Sequence, residues 1–374
     1  MGLLRLILAL SVFIVHTGSF YGFNLVGFSV AVQSFFVISG FYMSLILNEK
    51  YKGPGSYYLF ISNRFLRLLP AHWVVLALAV SVIYLLKPYS SEEPWVSFSF
   101  DMYFQLLDIK AQALILFSNV FMLGHDLLNL LRIDPQTGFF ALTQDPSKAY
   151  GGAPPVLSFF FNPPAWSLGT ELLFYLLAPF VVRRKKRVLF ALVSLSLLLR
   201  VVMFYSGYRH SAWQFQFFPT ELALFLLGAL SYRLYRSGSS FFSSRFGLYA
   251  VVTLVGATFI YQYMPVLAVQ GAEMKKWVYY LLLIFLMPAA FSYTSNIKID
   301  RYLGDLSYPV YIVHYAVVWF WVLVRERLFD TPYVSVLHLG LLVLTLALAV
   351  ALFHFVIKPM EKFRQARVAR ASSR

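Results

Sequence analysis

Residues 112–131 read QALILFSNVFMLGHDLLNLL. A membrane helix needs about 20 mostly apolar residues, and this run has the length, but Gln112, Asn119, His125, Asp126 and Asn129 interrupt it. Less ambiguous apolar stretches lie near residues 3–21, 26–47, 68–86, 166–182, 188–206, 214–234, 247–265, 277–294, 304–324 and 336–357, which makes ten expected spans. If 112–131 also crosses a bilayer, everything after it is inverted.

Charge decides the parity. Without that crossing, one side collects 21 of the 31 Lys and Arg: Arg5, Lys50, Lys52, Arg64, Arg67, the cluster Arg183 to Arg187, Arg233, Arg236, Arg245, Lys298, Arg301 and the tail from Lys358 to Arg374. The other side keeps nine, and Arg200 falls inside a span. A crossing at 112–131 would reverse this bias, and Lys and Arg are retained in cytoplasmic loops. The sequence therefore predicts cytoplasmic termini, in a bacterial cytoplasmic membrane. Residues 88–165 become a large outer loop with one membrane-associated helix, its remainder broken by Pro94, Pro135, Pro146, Pro154, Pro155, Pro163 and Pro164.

Composition agrees. Hydrophobic residues make up 60% of the 374, charged residues 13%, and the mean hydropathy is +0.70, too little polar surface to cover a water-soluble globule. The net charge of +15 falls between apolar blocks, so orientation in a bilayer explains it better than a nucleic-acid partner does. With no cysteine, disulfides, thiolate metal sites and Cys nucleophiles are excluded, and no metal site is expected. Continuous apolar runs rather than alternating ones exclude a barrel. The expected fold is an all-α polytopic membrane bundle forming one domain over residues 1–374. The short apolar run after Arg5 has the look of a secretion signal, but a second span follows within a few residues, so it is read as a retained first helix.

Ionisable groups inside spans cost roughly 2.5–3.5 kcal/mol and need a partner, a cavity or a function. They are His16, Glu171, Arg200, Glu221 and His314. Counted from the ends of their spans, His16 and Glu171 both lie roughly 7–8 Å below the outer rim, which suggests one shared outer cavity; an Arg200 ion pair with Glu221 or Glu171 is the structural alternative. Arg5 and His16 are eleven residues apart, about three helical turns, and share a face. Arg64 and Arg67 are i,i+3 neighbours, either a two-guanidinium clamp for phosphates or an ordinary orientation signal. His314 lies among Tyr308, Tyr311 and Tyr315, where a phenol could bond it.

In this order the pieces resemble the membrane acyltransferase-3 family. The matching segments are Arg5 with His16 at Arg-x10-His spacing, SFFVISGF (34–41), Arg64-x-x-Arg67, NPPAWSLGTE (162–171) with Phe174, Tyr175 and Pro179, and LGDLSYPVYIVH (303–314). Glu361-Lys362-Phe363 departs from the family's Glu-Lys-Pro element, so Glu361 receives no role, and the stand-alone form without a soluble esterase-like domain is expected. The resemblance implies transfer of an acyl group, acetyl in the first instance, from cytoplasmic acyl-CoA to an extracytoplasmic hydroxyl on a cell-surface glycan or glycolipid. Acyl-CoA would be a co-substrate, with no permanently bound cofactor. It implies His16 as the catalytic histidine and Arg5, Arg64 and Arg67 on the donor side, where Ser39 is placed as well; the chemistry of the residues agrees, with His16 as base or acyl carrier and Glu171 orienting it or stabilising its imidazolium. Trp166, Ser167, Arg200, Glu221, Tyr308 and His314 would support the cavity. Two rivals remain: a membrane-bound O-acyltransferase using His314, and a transporter for a lipid-linked sugar or an acid. The absence of a Gly-x-Ser-x-Gly elbow argues against a serine esterase.

Overall fold

The computed structural model describes residues 1–18, 22–90, 93–238, 244–265, 268–269, 272–328 and 334–372. Among them, nine helices are long and apolar enough to cross a membrane, and the chain is a multi-pass helical bundle. They include Gly27–Glu49, Ser56–Leu86, Trp166–Val181, Lys186–Tyr205, Phe218–Ser237, Lys275–Thr294 and Lys298–Leu328. The helix Lys186–Tyr205 turns Phe190, Leu195, Leu198 and Val201 outward, a surface that lipid accepts and water does not.

The first helix, Gly2–Thr17, is shorter than the expected span. At 1.5 Å per residue it is about 24 Å long. Gly18, at φ 103°, ends it, so His16 lies in the last turn rather than five residues inside; residues 19–21 of the expected span, like Arg374, lie outside the described residues. This helix packs against Gly27–Glu49 and Lys298–Leu328, and the amino terminus is tied down by Asp300, whose Oδ2 is 2.8 Å from the Met1 nitrogen.

Lipid supplies no hydrophobic force between helices, so close packing through small residues does the work. A Cβ on Gly40 would collide with the carbonyl of Phe225, and one on Gly228 with that of Val37. The glycine of the 34–41 motif is thus a contact point between the second helix and Phe218–Ser237.

The ambiguous stretch breaks in two. Helix Ile109–Phe121 has 13 residues, about 20 Å, well short of a hydrocarbon core of about 30 Å. Met122 (φ 62°) and Gly124 (φ 78°) turn the chain into a short helix, His125–Leu128. Of the polar residues that interrupt the run, Asn119 does most to knit the loop together. Asn119 donates from Nδ2 to the Phe159 carbonyl (2.9 Å) and accepts from the Phe161 N–H (3.1 Å), while its own carbonyl accepts from His72 Nε2 (2.7 Å). Leu107, Ala111, Ile115, Ile133, Val156 and Phe159 form a small separate core, beside a hairpin pairing Leu131–Ile133 with Phe140–Leu142. Residues 88–165 are a folded cap rather than an open loop.

Candidate active site

Two cavities enter the bundle and share a wall. The larger, about 440 Å³, is lined by Arg5, Ser39, Tyr42, Arg67, Glu171 and Tyr308 among others. The smaller, about 240 Å³, is lined by His16, Trp95, Asn129, Trp166 and Gln216 among others, under the cap. Val32 and Tyr311 line both. The Tyr311 hydroxyl is 2.6 Å from Ser167 Oγ and 3.1 Å from the Pro164 carbonyl it donates to, so the partition is held from both sides.

His16 lines the smaller cavity, and its tautomer follows from its neighbours. A carbonyl only accepts, so His314 Nδ1, 2.6 Å from the Tyr311 carbonyl, carries a hydrogen. A neutral His314 then has a bare Nε2, which lies 3.1 Å from His16 Nδ1. The two ring planes are 23° apart with centroids separated by 5.1 Å. His16 therefore donates from Nδ1, and its Nε2 is left as an unprotonated base. Tyr315 edges against the ring at 5.4 Å.

On the larger cavity, Ser39 donates to Glu171 Oε1 at 2.6 Å, and the Tyr175 hydroxyl donates to the same oxygen. Arg5 lies over the Tyr42 ring at 5.9 Å. Tyr308 donates to the Leu68 carbonyl at 2.8 Å.

Several expectations need correction. Glu171 is not the partner of His16: it opens on the other cavity, and His314 holds the histidine. Depth counted from the start of a helix misleads here because the segment Asn162–Ala165 is itself buried, so Trp166–Val181 begins inside the bundle. The ionisable groups do not share one cavity either. Arg200 pairs with Glu221 at 2.6 Å, Glu221 also accepts from Gln33 Nε2 at 2.9 and 3.0 Å, and neither Arg200 nor Glu221 lines either cavity. Arg64 and Arg67 do not form a clamp. Arg67 lines the larger cavity, whereas Arg64 packs between the rings of Phe60 and Tyr175 at 5.6 and 5.8 Å. His314 bonds a backbone carbonyl, not a phenol. Glu361, given no role above, lines the larger cavity and pairs with Arg364 at 2.8 Å. Trp166 lines the smaller cavity, Ser167 and Tyr308 the larger.

Sequence reading gave no cavity role to Tyr311, Tyr42, Asn129 or Gln216. For Tyr311 a signal existed: it stands three residues before His314, one turn away on the same helix face. The others come from segments whose approach only the fold reveals.

A helical membrane bundle with a histidine on one cavity and cations on the cavity behind it has the parts that a membrane acyltransferase needs. The acyltransferase domain model of the acyltransferase-3 family matches residues 1–355, which takes in every cavity residue named here except Glu361. The chain belongs to that family. No curated protein and no solved structure matches it.

Proposed function

We propose that the protein takes an acyl group, acetyl in the first instance, from acyl-CoA in the Arg5 and Arg67 cavity and delivers it to a hydroxyl that enters the His16 cavity, on an extracytoplasmic glycan or glycolipid. The observation that carries this reading is the shared wall: Val32 and Tyr311 bound both cavities, so a thioester from one side and a hydroxyl from the other can meet there. Guanidinium groups suit the phosphates of coenzyme A. The acceptor oxygen attacks the thioester carbonyl, the carbon–sulfur bond breaks, and the hydroxyl proton passes to His16 Nε2 and then to the departing thiolate. His314 holds His16 in the right tautomer, as the acid does in a Ser-His-Asp arrangement. Because His314 is fully buried and lines neither cavity, the reading that makes it the reacting histidine loses its footing.

The charge bias supports cytoplasmic termini, with Arg183 to Arg187 inside and the cap outside. The test uses purified protein with radiolabelled acetyl-CoA and a screen of hydroxyl acceptors. Label should reach an acceptor in wild-type protein and fail to in His16→Ala. Equal transfer by both would overturn the proposal.

A further inference from the structure

Two amides on the lining of the smaller cavity have buried polar atoms without a partner. Asn129 is buried, at 5% exposure, and neither its Nδ2 nor its Oδ1 has a hydrogen-bond partner; the buried Oε1 of Gln216 has none either. Both residues line the cavity that contains His16. They come from distant parts of the chain, brought together because Leu130 packs with Ala212 and Trp213 in one small core. An unpaired buried amide costs about 1–3 kcal/mol per unsatisfied group, a cost that a ligand offering both donors and acceptors would relieve.

The rest of the lining narrows the ligand. Trp95, half exposed, and buried Trp166 present aromatic surface. No Asp, Glu, Lys or Arg is among the described residues lining this cavity. The nearby Asp145 carboxylate is occupied, 2.9 Å from Lys148 Nζ. The histidines lining the cavity are His16 and His210, the latter turned to the Asp145 carboxylate at 3.7 Å, so a cavity of amides, hydroxyls and aromatic faces suits a neutral ring bearing several hydroxyls better than an anion.

We infer that Asn129 and Gln216 are the acceptor-binding residues of this enzyme, holding hydroxyls of an uncharged sugar ring so that a neighbouring hydroxyl faces His16. This rests on the proposed function for the direction of transfer, but the binding itself can be measured apart from it. A site built to bond hydroxyls discriminates strongly against groups that cannot, so these two side chains would set acceptor choice.

The test titrates full-length protein in nanodiscs with the methyl pyranosides of glucose, galactose and mannose, following the fluorescence of the cavity tryptophans, with cyclohexanemethanol and glucuronate as controls. At least one neutral pyranoside should give a saturable signal that neither control gives. In Asn129→Leu/Gln216→Met, of similar volume, that affinity should fall at least tenfold while acetyl-CoA binding stays intact, which also shows that the variant is folded. Should the double variant lose acetyl-CoA binding too, Gln216→Met alone, at a half-buried position, must show the selective loss or the inference is withdrawn. No pyranoside binding in wild-type protein, equal binding of glucuronate, or unchanged affinity in the variants would overturn it. His16-dependent consumption of acetyl-CoA is followed in the same preparations. Selective sugar binding without it would sink the proposed transfer and leave the amide site standing; its presence without sugar binding would do the reverse.

Discussion

His314 Nε2 lies 3.1 Å from His16 Nδ1, and the hydrogen between them belongs to His16 because the other side of His314 is committed to the Tyr311 carbonyl. His16→Ala should therefore reduce transfer by about 10²–10⁴-fold, the usual worth of a positioned base. His314→Ala should lower kcat while leaving the KM for donor nearly unchanged. His314→Gln should recover part of the rate, since its amide N–H can reach the Tyr311 carbonyl while its oxygen accepts from His16. A variant series in which Gln is no better than Ala would show that His314 only fills space.

Arg67 and Arg64 should separate in kinetics. Arg67→Ala removes a cation from the larger cavity and should raise the KM for acyl-CoA by about 10-fold or more, in line with about 1.5–3 kcal/mol for a charged hydrogen bond. Arg64→Ala removes packing against Phe60 and Tyr175 and should lower thermal stability more than donor affinity. Glu171→Gln belongs with Arg67: through Ser39 and Tyr175 it should change donor affinity without moving the pH limb that reports His16. Isothermal titration with a non-hydrolysable acyl-CoA analogue, a thermal melt and a pH–rate profile together check all three.

The bundle was legible because lipid imposes a simple rule, long continuous apolar helices. The site was legible in part. Arg5 and His16 share a helix, so their spacing carries to three dimensions. Glu171 was misassigned because its helix starts at a buried Pro163-Pro164 turn, and nothing in composition announces that a helix begins at depth. Asn129 and Gln216 could not be paired from the sequence, since a packing contact between the cap and the segment before Phe218 joins them. Even the run 112–131 showed its polar interruptions plainly, but not that Asn119 would use its amide to fasten Phe159 and Phe161.

The cap should be sensitive to pH through Asp126. Neither of its oxygens has a well-formed hydrogen bond, and burial, outweighing the pull of the nearby Leu127 and Asp126 backbone N–H groups, pushes its carboxyl from 3.8 up to about 7. The unfolded chain gives up this proton near pH 4 and the folded chain keeps it until about pH 7. Folding stability is therefore full at low pH and falls across that window, by on the order of 4 kcal/mol at 1.36 kcal/mol per pKa unit. Neighbouring His125, held well below its usual value by burial, contributes the opposite slope below pH 6.5, so the comparison must be with a variant that keeps it. Asp126→Asn should be more stable than wild type at pH 8, with the gap closing toward pH 4. Hydrogen exchange of residues 109–133 across that range reads it.

Arg200 and Glu221 should prove structural. Glu221 is fully buried, accepts from Arg200 at 2.6 Å and from Gln33, whose own oxygen accepts from Tyr280 at 2.5 Å. Arg200 also donates to the Thr220 carbonyl at 2.7 Å and lies 5.4 Å from the Trp277 ring. The network ties together four helices, Gly27–Glu49, Lys186–Tyr205, Phe218–Ser237 and Lys275–Thr294, without lining either cavity. Removing one charge strands the other in a dry interior, typically at a cost of about 3–5 kcal/mol, whereas replacing both by apolar residues of similar volume is often neutral. Glu221→Ala and Arg200→Ala should each lower the unfolding temperature sharply in detergent. Arg200→Met/Glu221→Leu should recover most of that loss, and transfer at a temperature where it is folded should remain near wild type. A stable double variant without activity would instead place these groups in the reaction, and the division between the two cavities would have to be redrawn.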